Sequence, residues 1–268
     1  MRKPKSVWMK ALCLMLAALL CLAGCGGGKG EGATDTEADT GEQADRPVDT
    51  RPMIALTFDD GPHTTRTGLV VDELAKYGFH ATFFVVGNRV DGSEYSGGKA
   101  MQYAVAKGNE IGIHGYTHEK YYDTCTDAEY REEISKTAAA IQMLVPGYEV
   151  ELMRPVGGRI TAERTAASPY SVIMWDIDSE DWAYKYKSGD SDEVCADKVN
   201  TIVENVMSQV HEGGIILMHD IYESTYDATV IILQRLHEQG YRVVTVSELL
   251  GADRQAGRTY TSGIDDGE

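Results

Sequence analysis

Cysteine and basic residues are both scarce in this chain, and each shortage excludes a class of protein. Five cysteines occur in 268 residues, and only Cys125 and Cys195 lie beyond residue 25. Two thiols 70 residues apart make no disulfide framework, although they could still pair in an exported protein. The chain has 25 lysines and arginines but 42 aspartates and glutamates, which gives a net charge of -17. A surface this acidic argues against nucleic acid as a partner.

Long apolar runs are also rare, and the run near the N-terminus is too short to span a membrane. Residues 11–23 are apolar and follow a basic start, a pattern typical of a signal peptide. Residues 22–25 read Leu-Ala-Gly-Cys and resemble a bacterial lipobox, which implies cleavage before Cys25 and lipidation of its thiol. The alternative is an ordinary signal peptide cleaved nearby. We expect an exported protein, anchored by lipid to the outer face of the bacterial cytoplasmic membrane.

Polar segments flank a single region of mixed composition. Residues 1–24 are predicted to be a lipoprotein signal peptide, and residues 25–50 a flexible acidic tether after the lipidated cysteine. Residues 51–250 have the length of one α/β domain, which we predict to be the catalytic domain. Residues 251–268 are again polar and are predicted to form a disordered or loosely packed tail.

Short apolar strands alternate with helical stretches in the central region, the pattern of a parallel α/β fold. Gly78, Gly108 and Gly240 stand where helices would end in a left-handed cap. Residues 126–129 have the sequence of a capping box that opens a helix. Seven strands are predicted, at residues 54–58, 81–86, 110–113, 151–153, 171–175, 214–218 and 242–245.

Two aspartates and two histidines point to a metal site. Asp59 and Asp60 follow the first predicted strand, and α/β folds carry their chemistry at such carboxyl ends. His114 and His118 are four residues apart, so both imidazoles would share one face if the segment were helical. One carboxylate and two imidazoles can hold a divalent metal and leave a position open for water. The alternative is a solvated turn and two unrelated histidines.

Polar clusters also follow later strands. Residues 154–158 read Arg-Pro-Val-Gly-Gly, residues 178–182 read Asp-Ser-Glu-Asp-Trp, and residues 217–220 read Leu-Met-His-Asp. Taken in order, the five clusters resemble the motifs of the polysaccharide deacetylases, carbohydrate esterase family four, and residues 57–62 match the first motif letter for letter. The resemblance implies a distorted (β/α) barrel of about seven parallel strands. It also implies metal-dependent hydrolysis of N-acetyl groups on amino sugars.

The same resemblance assigns roles to individual residues. Asp60, His114 and His118 correspond to the metal ligands, and Asp59 to the general base. Water at a bound cation is more acidic than bulk water, so a nearby carboxylate can take its proton. His219 corresponds to the general acid that protonates the departing sugar amine. Zinc suits one Asp and two His, although cobalt, nickel or manganese fits the same ligands.

Supporting roles follow for residues beside these groups. Arg154 would pair with Asp59 and keep it ionised, and Asp181 would raise the pKa of His219. Each could instead be an ordinary surface ion pair or turn cap. Three further residues are predicted to contact the substrate, one through its backbone N–H and two by lining the acetyl pocket: Gly157, Trp182 and Leu217.

The sequence departs from the family pattern at two glycines. Gly115 stands where the family usually has Ser or Thr, so we expect the loss of a hydrogen bond that would steady the site. The third motif usually ends Pro-aromatic-Gly, whereas here it reads Val156-Gly157-Gly158. We expect the loss of an aromatic wall beside the sugar, which affects substrate fit more than chemistry.

These observations favour a monomeric, membrane-tethered deacetylase that acts on N-acetylated cell-wall glycan, with peptidoglycan as the substrate. An acidic domain meets an anionic wall slowly, so chitin-like oligomers or an exopolysaccharide remain as an alternative. A lipoprotein that binds glycan without catalysis is the third hypothesis. The altered third motif is its only support.

Overall fold

A computed structural model of the chain describes residues 49–91 and 97–263. They belong to one compact unit that begins at Asp49. The predicted signal peptide, Cys25 and the tether up to residue 48 lie outside the described residues. Within the described ranges, every helix is too short or too polar to cross a bilayer.

One parallel sheet organises the described residues. The nine strands of the described ranges are Met53–Asp59 (β1), Thr82–Val85 (β2), Glu110–Ile113 (β3), Leu152–Met153 (β4), Ser171–Ile173 (β5), Ile177–Asp178 (β6), Ile215–His219 (β7), Arg242–Val244 (β8) and Thr259–Tyr260 (β9). Their order in the sheet is β6-β7-β1-β2-β3-β4-β5-β9, with β8 also paired to β1, and every pairing is parallel. The predicted α/β class is therefore confirmed.

Helices follow most strands, as the sequence predicts. The predicted capping box is confirmed at the start of the helix Asp127–Leu144, because the Thr126 hydroxyl accepts the Glu129 N–H and the Glu129 carboxylate accepts the Thr126 N–H. Gly78, Gly108 and Gly240 all have the predicted left-handed backbone. The helices are Arg66–Lys76 (α1), Gly87–Asp91 (α2), Gly98–Ala106 (α3), Asp127–Leu144 (α4), Ala162–Ala166 (α5), Asp192–Met207 (α6), Glu223–Glu238 (α7) and Val246–Leu250 (α8).

Strand β1 lies at the centre of the fold. It pairs with β2, β7 and β8, and its residues from Ile54 to Asp59 are buried. Ile54, Leu56 and Phe58 enter the larger apolar cluster, while Ala55 enters a smaller one. Burial on both faces explains the continuous apolar run in the sequence. Asp59, the last residue of this buried strand, therefore lies at the carboxyl edge of the sheet.

The predicted domain boundary at Leu250 is too early. Residues 259–260 form β9 and pair with β5, and the Met174 N–H donates to the Tyr260 carbonyl over 2.8 Å. Two residues of the expected loose tail are thus part of the sheet, and the Gly263 N–H donates to the Gly213 carbonyl. Residues 264–268 of that tail lie outside the described residues. Strands β6 and β9 were not predicted, because each has two residues that do not form an apolar run, unlike the Leu-Met pair of β4.

The two cysteines of the domain do not pair. Cys125 and Cys195 are both free and partly exposed. The open possibility of a disulfide between them is therefore not realised in this structure.

Candidate active site

The adjacent carboxylates at the end of β1 converge on one imidazole. Neighbouring side chains of a regular strand point to opposite faces, but Asp60 has a left-handed backbone, with φ of 69°. As a result the His114 Nε2 atom lies 3.6 Å from Asp59 Oδ2 and 3.4 Å from Asp60 Oδ1. Aspartate tolerates this conformation better than most residues.

The two histidines meet through a loop and not through a helix. His114 directly follows β3, and the chain then turns through Gly115, with φ of 79°, to His118, with φ of 63°. The helical arrangement considered for this segment is therefore wrong. The imidazole rings nevertheless lie 5.3 Å apart between centroids. His118 Nε2 is 2.9 Å from Asp60 Oδ1.

Asp60, His114 and His118 fit a divalent cation. Each offers one ligand atom, and the three atoms lie within 4.8 Å of one another. Among the described residues, no donor meets the buried Asp60 Oδ1 atom in hydrogen-bond geometry, although both imidazole Nε2 atoms lie within 3.4 Å of it, as expected of ligand atoms grouped around a cation position. His114 Nδ1 donates to the Arg154 carbonyl over 2.9 Å, which leaves Nε2 as the ligand atom.

The electrostatics of this cluster agree with that use. Burial alone would favour the protonated acid, but contact with His114 and His118 holds the pKa of Asp60 well below its usual range. Asp60 is therefore an anion at neutral pH. A metal-binding carboxylate must be ionised in the same way.

Arg154 is fully buried and holds Asp59. Its Nη1 atom donates to Asp59 Oδ1 over 2.8 Å and to Thr57 Oγ1 over 2.7 Å. Its Nε and Nη2 atoms donate to the carbonyls of Ile173 and Met174. The predicted contact between Arg154 and Asp59 is present. One oxygen of Asp59 is thereby fixed, while the other faces the His114 ring.

His219 ends strand β7 and is held by Asp181. The Nδ1 atom lies 2.7 Å from Asp181 Oδ1, and the His219 backbone N–H donates to Asp181 Oδ2. Burial opposes the charged imidazolium, but the hydrogen bond and charge of Asp181 raise the pKa of His219 to about 9. Thr225 also donates to Asp181 Oδ2 over 2.6 Å, a contact that no local sequence pattern indicates.

The two halves of the site lie on neighbouring strands. In the register of β1 and β7, Asp59 stands opposite His219. Asp59 and Asp60 both contribute to the raised pKa of His219. The candidate metal ligands and the His219 imidazole thus lie at the same carboxyl edge of the sheet.

The three predicted substrate contacts occupy different positions. Gly157 lies in a short turn with φ of 61°. Trp182 follows Asp181 and is 53% exposed, whereas Leu217 is buried on β7, two residues before His219 and on the same face. Their contact with substrate stays a prediction.

Glu133 on α4 is a site residue that the sequence did not indicate. Its carboxylate is buried and accepts the backbone N–H groups of Tyr116 and Thr117 over 2.7 and 2.9 Å, and the Thr117 hydroxyl over 2.8 Å. It therefore fixes the loop between the two histidines. An isolated Glu in a helix carries no local signal of this contact.

Asp220 was part of the fifth cluster, but no role was predicted for it. It is fully buried, accepts from Thr67, and within the described residues its Oδ1 atom has no hydrogen-bond partner. Burial raises its pKa to about 7. A Cβ atom on Gly61 would lie 2.5 Å from Asp220 Oδ1, so this carboxyl explains the glycine of the first motif.

Comparisons with known proteins agree with this geometry. The profile of the family described as "Polysaccharide deacetylase" matches residues 47–170. The chain is 35% identical over 206 residues to a peptidoglycan-N-acetylglucosamine deacetylase of Bacillus cereus, and the match covers 74% of this chain and 88% of that protein. The chain belongs to the polysaccharide deacetylase family. It is also 37% identical to the peptidoglycan-N-acetylmuramic acid deacetylase PdaC of Bacillus subtilis, over 76% of this chain.

Solved structures of a peptidoglycan deacetylase and of an acetyl xylan esterase have the same fold. The structure of PdaC matches 74% of this chain and 90% of that chain, with 36% identity and a TM-score of 0.65. A family 4 acetyl xylan esterase from Clostridium thermocellum, solved with a cobalt ion, matches 78% of this chain and 98% of that one, with 29% identity and a TM-score of 0.67. The chain spans about two fifths of the full length of PdaC.

Restoring the usual family residue at position 115 should damage this protein. A Cβ atom on Gly115 would lie 3.1 Å from both Glu133 Oε2 and the Tyr122 hydroxyl oxygen, and φ is positive. We expect Gly115→Ser to lower the free energy of unfolding by more than the backbone cost of about 1–2 kcal/mol. Gly147→Ser is the control, because Gly147 also has positive φ but no atom near its Cβ. Urea unfolding measures the free energy of unfolding of both variants. An equal loss in Gly115→Ser and Gly147→Ser would contradict the crowding at Gly115.

Removing Glu133 should weaken metal binding. Without its carboxylate the two loop N–H groups lose their acceptor, so we expect Glu133→Ala to lower affinity about 10-fold or more. Glu133→Gln should retain most of the affinity, since its amide oxygen can still accept. The measurement is chelator competition for zinc. Glu132→Ala is the matched control, because Glu132 is exposed and pairs with Lys136. An unchanged zinc affinity in Glu133→Ala would show that the loop between His114 and His118 keeps its conformation without Glu133.

Proposed function

We propose that this protein is a metal-dependent hydrolase that removes N-acetyl groups from amino sugars of peptidoglycan. The observation that carries the proposal is the arrangement of three ligand atoms, within 4.8 Å of one another, beside a carboxylate held by arginine and an imidazole held by aspartate. Hydrolysis of an amide needs a base, an acid and a centre of positive charge. Asp59, His219 and the three ligand atoms are suited to supply them at one edge of the sheet.

Asp59 is suited to be the base. Its Oδ1 atom is bound by Arg154, and its Oδ2 atom lies towards His114, on the side of the metal ligands. Oδ2 can therefore accept a proton from a water molecule at the cluster without moving. The buried guanidinium compensates the negative charge of Asp59 before the proton arrives.

The ligand set would hold one divalent cation. When bound, it supplies a Lewis acid that polarises a carbonyl and makes water more acidic. Asp60, His114 and His118 would hold it, with the tautomer of His114 fixed by the Arg154 carbonyl. We propose zinc, for which one Asp and two His are suitable ligands, although cobalt, nickel and manganese fit the same set.

His219 is suited to be the acid. With a pKa raised to about 9, it carries a proton at neutral pH. Asp181 occupies Nδ1, so Nε2 is the atom that donates to the nitrogen of the departing amine. Because an amine leaves poorly as an anion, this proton transfer favours cleavage over return to the amide.

The substrate proposal draws on the relatives. Proteins of Bacillus subtilis and Bacillus cereus that resemble this chain are named as peptidoglycan deacetylases. A net charge of -17 favours the second candidate, a neutral polymer such as a chitin-like oligosaccharide or an exopolysaccharide.

The location of the protein is a separate proposal. We propose that it is exported as a monomer and anchored through a lipid on Cys25 to the outer face of the bacterial cytoplasmic membrane. The support is the Leu-Ala-Gly-Cys sequence of residues 22–25 after a basic and then apolar start. Anchoring there would place the domain beside the cell wall.

Acetate release tests the activity and ranks the substrates. Protein treated with a chelator should release no acetate from purified peptidoglycan or from N-acetylglucosamine oligosaccharides. Return of one divalent metal should restore release, with peptidoglycan preferred. Release from the oligosaccharides alone would support the second candidate. No release with any metal, from folded protein, would contradict the hydrolase proposal.

Within the same assay, Asp59→Asn isolates the base. We expect a loss of about 10²- to 10⁴-fold in kcat, because the amide cannot accept the proton. Metal affinity should be largely retained. Because the substitution removes the charge that pairs with the buried Arg154, a thermal melt should establish that the variant still folds. Asp72→Asn is the control, since Asp72 contacts Tyr103 on α3. Full activity of Asp59→Asn would show that Asp59 is not the base.

The pH dependence of kcat tests the pairing of His219 with Asp181. An acid must be protonated to act, so activity should fall as pH rises through the pKa of His219, about 9. In Asp181→Asn the neutral amide no longer favours the imidazolium, so that pKa falls. We expect the alkaline limb of the profile to move to lower pH. A limb that stays in place would show that another group controls it.

A further inference from the structure

An exposed tyrosine lies at the point where the third motif lacks its aromatic side chain. A Cβ atom built on Gly157 would lie 3.3 Å from Tyr121 Cε1 and 3.8 Å from Cδ1. Apart from the residues adjacent in sequence, Tyr121 is the only described neighbour of that position within 4 Å. The edge of the Tyr121 ring therefore borders the space into which a side chain at position 157 would project.

The backbone that carries Tyr121 is fixed. The Tyr121 carbonyl accepts the N–H groups of Thr124 and Cys125 over 3.2 and 3.0 Å. The next residue, Tyr122, is fully buried and forms a bridge with Ile160. Tyr121 also follows the metal ligand His118 by three residues. The exposed ring is thus carried by a hydrogen-bonded segment that follows the candidate metal ligand His118 closely in sequence.

Arg159 packs on one face of the Tyr121 ring. Its guanidinium carbon lies 4.3 Å from the ring centroid, and its Nε and Nη2 atoms lie 2.9 Å from Asp123 Oδ2. The cation and its carboxylate partner restrict the orientation of the ring. Tyr121 still remains 44% exposed. An aromatic side chain that is held in place and partly exposed is typical of a binding site.

We propose that Tyr121, supported by Arg159, is a stacking platform for a pyranose ring of the glycan. The proposal rests on the proposed function, because it takes the bound chain to be the polysaccharide substrate. The C–H groups on one face of a pyranose form an apolar surface, which packs on the face of an aromatic ring. The platform provides from residue 121 the aromatic surface that Gly157 cannot provide.

Tyr121→Ala tests the platform through the separation of KM from kcat. With N-acetylglucosamine oligosaccharides, we expect KM to rise about 10-fold while kcat is unchanged, because stacking contributes to binding and not to proton transfer. Tyr121→Phe should keep the KM of the original protein, since it retains the ring and a folded loop. Arg159→Ala should raise KM by a smaller factor. The control is Tyr103→Ala, which removes an exposed tyrosine of α3 and should leave both KM and kcat unchanged.

Two results would overturn the platform: an unchanged KM in Tyr121→Ala, or a loss confined to kcat. Failure of the proposed function would look different, since the original protein would then release no acetate with any metal. In that case, calorimetric titration of the same oligosaccharides into the metal-loaded protein still decides the question. Binding weakened in Tyr121→Ala and kept in Tyr121→Phe supports the platform, and equal or absent binding overturns it.

Discussion

The buried guanidinium of Arg154 is the interaction on which the site depends. Its side chain contacts Asp59 and Thr57 on β1 and two carbonyls at and beyond the end of β5, while its own carbonyl accepts the Nδ1 proton of His114. One residue thus orients both a candidate base and a candidate metal ligand. Removing one partner of a buried ion pair costs about 3–5 kcal/mol, because the other charge is left uncompensated. The base and the fold are therefore stabilised by the same contact.

Features set by short-range sequence could be predicted. The buried run of β1 has a clear pattern, and the polar residues that end successive parallel strands must meet at one edge of the sheet, so Asp59, His114 and His219 were found together. Other features depend on contacts distant in sequence. Glu133 reaches the histidine loop from α4, and no residue near it indicates that contact. A spacing of four also does not distinguish a helix from the loop that brings His118 to Asp60.

The two departures from the family pattern have a common physical form. Gly115 and Gly157 both have positive φ, and at each the space for a side chain is bordered by a residue from elsewhere in the sequence. At position 115 those neighbours include Glu133, which already binds the backbone of the loop. At position 157 the neighbour is Tyr121. The sequence shows only that two side chains are missing. The structure shows that the Glu133 carboxylate lies beside Gly115 and that the Tyr121 ring lies beside Gly157.

Strands of only two residues, β6 and β9, occupy the two ends of the strand order. An exposed edge strand offers unpaired N–H and C=O groups to another chain, and the risk grows with its length. Here the residues after position 250 cover β5, whose N–H groups at Val172 and at Met174 just beyond it are satisfied by Arg258 and Tyr260. The polar C-terminal segment therefore protects the sheet from edge-to-edge aggregation.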